Sequence, residues 1–188
     1  MEELLNLSWC ATIVAIIGLC FCATKFKSYF AASAVVINAV ATSLLAIGAL
    51  NGEIKEFLLQ GNPFWGDILI RIDSLSAWFI LIVNFTSVTG VIYGMGYLKP
   101  YVNSAQKLAL HWILFVIFHL SMVWLCMLQH SLAFLVAWEV MSLSSMLLVI
   151  FDHDKPKTIK AGINYLVQMH ISVTFLTIGF IWVYFQTG

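Results

Sequence analysis

Six apolar runs, each long enough to cross a bilayer as a helix, constrain this chain more than any other feature. They cover about residues 7–24, 30–50, 75–98, 108–128, 131–151 and 161–185. A spanning helix needs about 20 apolar residues, and no run alternates with period two as a barrel strand would. The expected fold is an all-α integral membrane protein with six transmembrane helices. Composition agrees, with 62% of the 188 residues hydrophobic and 10% charged, against about 25% charged in a soluble domain. Nine Lys and Arg balance nine Asp and Glu. That neutrality argues against nucleic acid as a partner, because phosphate binding needs a net basic surface.

The first run is read as a retained helix. Glu2 and Glu3 precede it, where a cleavable signal would carry Lys or Arg. Lys25, Lys27, Lys99, Lys107, Lys155, Lys157 and Lys160 follow runs one, three and five, and only Lys55 and Arg71 lie in the other loops. The positive-inside rule then predicts the N-terminus outside and the odd-numbered loops in the cytoplasm. Only the segment 51–72 is long, and its Pro63-Phe64-Trp65 reads as an interfacial aromatic stretch, Trp65 included.

Polar residues inside the runs carry the functional reading. Cys10, Cys20, Cys22 and Cys126 read as small buried hydrophobes. Cys20 and Cys22 point about 200° apart on a helix and cannot share a metal, so no metal site is expected. Glu139 is the only acidic residue deep in a run. A carboxylate at the bilayer centre costs about 2.5–3.5 kcal/mol on insertion scales, so it is protonated, hydrated or paired with a cation. Ser142, one turn on, shares its face and is a candidate hydrogen-bond partner. His119 lies at similar depth in run four, and an imidazole passes protons at modest energetic cost. In run six His170 lies slightly toward the cytoplasmic side, and Asn164, Gln168 and Ser172 form a stripe on a neighbouring face. His111 and His130 lie near run ends, where solvation accounts for them, and His153 lies in a loop. Runs one and two contribute almost nothing polar on this reading. The gathering of Glu139, His119, His170, Ser142, Gln168 and Asn164 in runs four to six points to a hydrated proton path.

The run 137–145, Ala-Trp-Glu-Val-Met-Ser-Leu-Ser-Ser, resembles the fifth-helix signature of the antiporter-like subunits of respiratory complex I, membrane-bound hydrogenases and multisubunit cation/proton antiporters. Phe-Asp-His-Asp at 151–154, Lys-Ala-Gly-Ile-Asn-Tyr-Leu at 160–166 and Met-His-Ile at 169–171 look most like the hydrogenase-4 and formate hydrogenlyase branch. Ile-Asp-Ser-Leu-Ser-Ala at 72–77 matches an opening common in these subunits. The resemblance implies that Glu139 is the glutamate of a proton half-channel, paired with a lysine on a seventh helix, and that His170 is a sixth-helix histidine of the hydrogenase branch. It implies two parts, 1–106 as helices one to three and 107–188 as the start of the proton-conducting repeat (helices four to six), incomplete here.

The chain is thus expected to be a proton-translocating subunit of a membrane-bound hydrogenase or NADH dehydrogenase-like complex in the inner (cytoplasmic) membrane, or the N-terminal half of one, as a fragment or a split product. Its expected partners are the bilayer and other membrane subunits, one of them supplying a mid-membrane lysine. Electron transfer would occur in those subunits, and no cofactor is expected on this chain. The alternatives are a non-conducting scaffold, a cation/proton antiporter subunit, and a cytochrome using His119 and His170 as haem ligands.

Overall fold

A computed structural model describes residues 2–61, 66–151 and 155–187. It contains α1 (Glu2–Phe21), α2 (Thr24–Leu50), β1 (Lys55–Leu59), β2 (Ile68–Ile72), α3 (Ser74–Tyr97), a short 3₁₀ turn (Lys99–Tyr101), α4 (Ala105–Leu125), α5 (Ser131–Val149) and α6 (Pro156–Thr187). Among the described residues, six helices are long and apolar enough to cross a membrane. The all-α membrane reading therefore stands. Helix α6 begins five residues earlier than its apolar run, because Pro156 suits a first helical turn.

Local chemistry accounts for several helix ends. Asp73 caps α3, its Oδ1 accepting from the Ser76 N–H at 2.8 Å. His130 caps α5, its Nδ1 accepting from the Ala133 N–H at 3.2 Å, a specific role beyond the expected solvation. Lys27 is buried, and its Nζ donates to the Leu19 carbonyl in the last turn of α1 at 2.8 Å. A cation there opposes the negative end of the helix dipole.

Helix α2 packs against α1, α3 and α4, while α4 also packs against α1 and α5. The main packing partner of α6 is α5. A four-helix bundle therefore forms the body, and α5 and α6 extend from one side of it. Its core has two apolar clusters. One includes Leu5, Leu45, Ile80 and Val123; the other includes Leu19, Val35, Val91 and Val116.

Within the segment 51–72, β1 and β2 pair as an antiparallel hairpin. Lys55 pairs with Ile72 and Leu59 with Ile68. The Arg71 N–H donates to the Met127 carbonyl at 2.9 Å and the Gln129 N–H to the Leu69 carbonyl at 3.0 Å. The hairpin thereby stitches itself to the α4–α5 turn. Trp65 lies outside the described residues, as does His153.

Candidate functional site at the α5–α6 contact

Glu139 stands midway along α5, and His170 stands on α6 facing it. His170 Nε2 lies 3.8 Å from Glu139 Oε2, with the two side chains 52% and 34% exposed. The other ring nitrogen, Nδ1, is 3.0 Å from the Leu166 carbonyl. A carbonyl only accepts, so Nδ1 carries a proton and Nε2 is the atom presented to the carboxyl. A carboxyl with this imidazole beside it can hold one shared proton on either side of the gap.

Two further features fix α6 against α5. Tyr165 and Ser145 are hydrogen-bonded at 2.7 Å, and since the Ser145 hydroxyl also reaches the Ser142 carbonyl at 2.9 Å, the phenol is the donor between them. Gly162 lies against Ile150 and Met146, where a Cβ would collide with the Ile150 side chain. Small residues at such contacts let helices approach closely in a membrane.

The remaining sequence candidates are placed differently. The Ser142 hydroxyl donates to the Glu139 backbone carbonyl at 3.0 Å, not to its carboxyl, the usual i−3 bond of a helical serine. Asn164 and Gln168 are exposed on α6, and Ser172 bonds the Gln168 carbonyl at 3.0 Å. His119 is 1% exposed, and its Nε2 lies 3.0 Å from Asn84 Oδ1 on α3. It thus belongs to a polar group separate from Glu139 and His170.

Apart from His119, that second group was missed in the sequence, where runs one and two read as almost free of polarity. Asn84 Nδ2 lies 2.9 Å from Thr42 Oγ1, 2.9 Å from Ser43 Oγ and 3.1 Å from the Ala39 carbonyl, all on α2. Thr42 donates to the Asn38 carbonyl, and the Asn38 amide donates to Thr12 on α1 at 3.0 Å. Along each of the four helices this band falls between the two apolar clusters. The available signal was the i, i+4 spacing of Asn38 and Thr42, which sets both on one helix face.

Among the described residues no group of three or more His, Cys, Asp or Glu is arranged to hold a metal. The four cysteines are free thiols.

Comparison with known proteins finds a family match over α5 and α6 and relatives that align over more of the chain. The transmembrane family described as NADH:quinone oxidoreductase/Mrp antiporter matches residues 129–188, the stretch that holds Glu139 and His170. Hydrogenase-4 component B of Escherichia coli (strain K12) is 34% identical over 120 residues, which are 63% of this chain and 17% of that protein. Putative antiporter subunit mnhA2 of Staphylococcus aureus (strain MRSA252) is 25% identical over 87% of this chain and 20% of its own length. NADH-quinone oxidoreductase subunit N of Buchnera aphidicola (subsp. Schizaphis graminum, strain Sg) is 24% identical over 70% of this chain and 26% of its own length. The chain spans about a fifth of the length of these curated relatives. It is a multi-pass membrane protein, and its residues 129–188 are similar to the NADH:quinone oxidoreductase/Mrp antiporter transmembrane family.

Proposed function

We propose that the chain serves as a proton-translocating membrane subunit of a hydrogenase or NADH dehydrogenase-like complex in the cytoplasmic membrane, with Glu139 in the proton path and the N-terminus outside. The observation that carries this reading is the 3.8 Å approach of His170 Nε2 to Glu139 Oε2. The pair has two states that differ only in where one proton sits, imidazolium with carboxylate or imidazole with carboxylic acid. A small side-chain rotation, or one bridging water, closes the gap for transfer.

Both side chains are partly exposed at the α5–α6 contact, on the two helices that extend from the bundle body. In hydrocarbon such a face is costly unless another polar element covers it. A lysine on an element outside these six helices would supply that cover. Its approach favours the carboxylate and its withdrawal favours return of the proton, so movement of one charge directs the other. His119, Ser142, Asn164 and Gln168 remain candidates for hydrating the path. The Ser142 hydroxyl, bonded to the Glu139 carbonyl, supports the helix at that point.

The test is Glu139→Gln in the intact complex, reconstituted in vesicles. Proton uptake is expected to fall to background while assembly is unchanged; undiminished uptake refutes the role of Glu139. A second reading, a cation/proton antiporter subunit, is favoured by the Staphylococcus aureus relative, which aligns over 87% of the chain. A sodium gradient that drives proton efflux through the same vesicles would distinguish it.

A further inference from the structure

The seam between α2 and α3 holds an amphipathic cleft, distant in role from the Glu139–His170 pair. At one end is a cavity of about 320 Å³ whose lining includes Lys25, Ser28 and Tyr29 from the start of α2, Gly96 from the end of α3 and Lys99 from the 3₁₀ turn that follows it. Farther along the same seam is an apolar groove of about 470 Å³, lined by Val36, Val40 and Leu44 against Leu81, Phe85 and Val88. Helical periodicity places the two on one side of the seam. Tyr29 and Val36 are seven residues apart on α2, as are Val88 and Met95 on α3, so each pair differs by only about 20° around its helix.

The two ends differ in chemistry. Lys25 and Lys99 are exposed and form no ion pair among the described residues, and no carboxylate lines the cavity. The Ser28 oxygen accepts the indole N–H of buried Trp112 at 3.1 Å, which leaves its hydroxyl proton to donate. Tyr93 and Tyr97, stacked with ring centroids 6.0 Å apart and both exposed, mark the interfacial level near the end of α3. Two unpaired ammonium groups and a hydroxyl donor suit a phosphate. An apolar groove leading inward from them suits an acyl chain and has no use for a free ion.

We propose that this cleft binds an anionic phospholipid, its phosphate between Lys25 and Lys99 and one acyl chain in the α2–α3 groove. Basic pockets between spanning helices hold anionic headgroups elsewhere by the same physics, each lysine near the surface adding about a fivefold gain in affinity. Charge complementarity selects the headgroup and the groove selects a lipid over inorganic phosphate.

The experiment counts bound lipid by native mass spectrometry on the full chain, purified with the subunits that accompany it in the membrane. The complex is delipidated and then titrated with phosphatidylglycerol, phosphatidylcholine or inorganic phosphate. Phosphatidylglycerol is expected to bind in preference to phosphatidylcholine, and inorganic phosphate is expected not to displace it. Lys25→Gln and Lys99→Gln should each weaken binding about fivefold, and Lys157→Gln, on another element, should leave it unchanged. Gly96→Leu provides a separate route, because a Cβ there meets nothing within 4 Å; it should fill the cavity and abolish binding without changing helix content. Equal binding of the two lipids, displacement by inorganic phosphate, or unchanged binding in Lys25→Gln, Lys99→Gln and Gly96→Leu overturns the proposal.

Discussion

Asn84 joins His119 of α4 to α2, accepting from its imidazole at 3.0 Å through Oδ1 while its own amide reaches Thr42, Ser43 and the Ala39 carbonyl. One side chain on α3 thus ties together three helices in the interior of the bundle. Interhelical hydrogen bonds in membranes average only about 0.6 kcal/mol, but Asn84 concentrates several of them.

Asn84→Leu should therefore destabilise the chain by about 1–3 kcal/mol, the usual cost of leaving a buried polar partner unmatched. Thermal unfolding of detergent-solubilised protein measures this. Thr12→Val, which removes one interhelical bond, from Asn38, and one to the Ser8 carbonyl of its own helix, should cost less than half as much.

His170→Phe should lower proton uptake about 10²-fold, the low end for a positioned proton-transfer group. The residue is exposed and bonds only its own helix among the described residues, apart from Glu139, so thermal stability should change little. Uptake measured beside a melting curve separates the two effects. Loss of both together would make His170 a packing residue.

Both halves of that pair stood out in the sequence, but their proximity did not. Glu139 is conspicuous because a carboxyl in an apolar run has few tolerable fates, whereas the distance to His170 depends on how closely Gly162 lets α6 approach Ile150. The six spans were legible because hydrocarbon thickness dictates their length. The hairpin was not, since β1 and β2 are only five residues each and their alternation is weak beside the aromatic cluster between them. The Asn38–Thr42–Asn84 band escaped because uncharged polar residues barely lower the hydropathy of a long apolar run. Lys27 read as a cytoplasmic charge; its burial follows from a carbonyl of α1 that no sequence pattern announces.

Gly162→Ala should push α6 away from α5 and cost about 1–3 kcal/mol, as overpacking does. Adding Ile150→Ala should restore part of the loss, because the colliding atom belongs to that side chain. A double-mutant cycle on melting temperature reads the coupling, and strict additivity would show that the two residues act apart.

The cap on α3 is expected to respond to acid. The bond from the Ser76 backbone N–H, with help from the Ser76 hydroxyl and Arg71, holds the Asp73 carboxyl below its ordinary 3.8, against a smaller opposing effect of burial. Because the folded value is the lower one, the stabilisation is fully present above 3.8 and is lost as pH falls through the folded value. Asp73→Ala should cost about 0.5–2 kcal/mol at neutral pH. Asp73→Asn, which caps without titrating, should narrow the stability gap to the parent as the pH approaches 3, a trend that melting curves across the acid range detect.

Strand β2, stitched to residues Met127 and Gln129, anchors the end of α5 that His130 caps. At its other end Phe151 packs against Tyr101 and His111, and Ile150 lies against Gly162. A rod held at both tips and loaded near its middle bows there, so an electrostatic pull on Glu139 should be taken up locally, as a change in its spacing from His170.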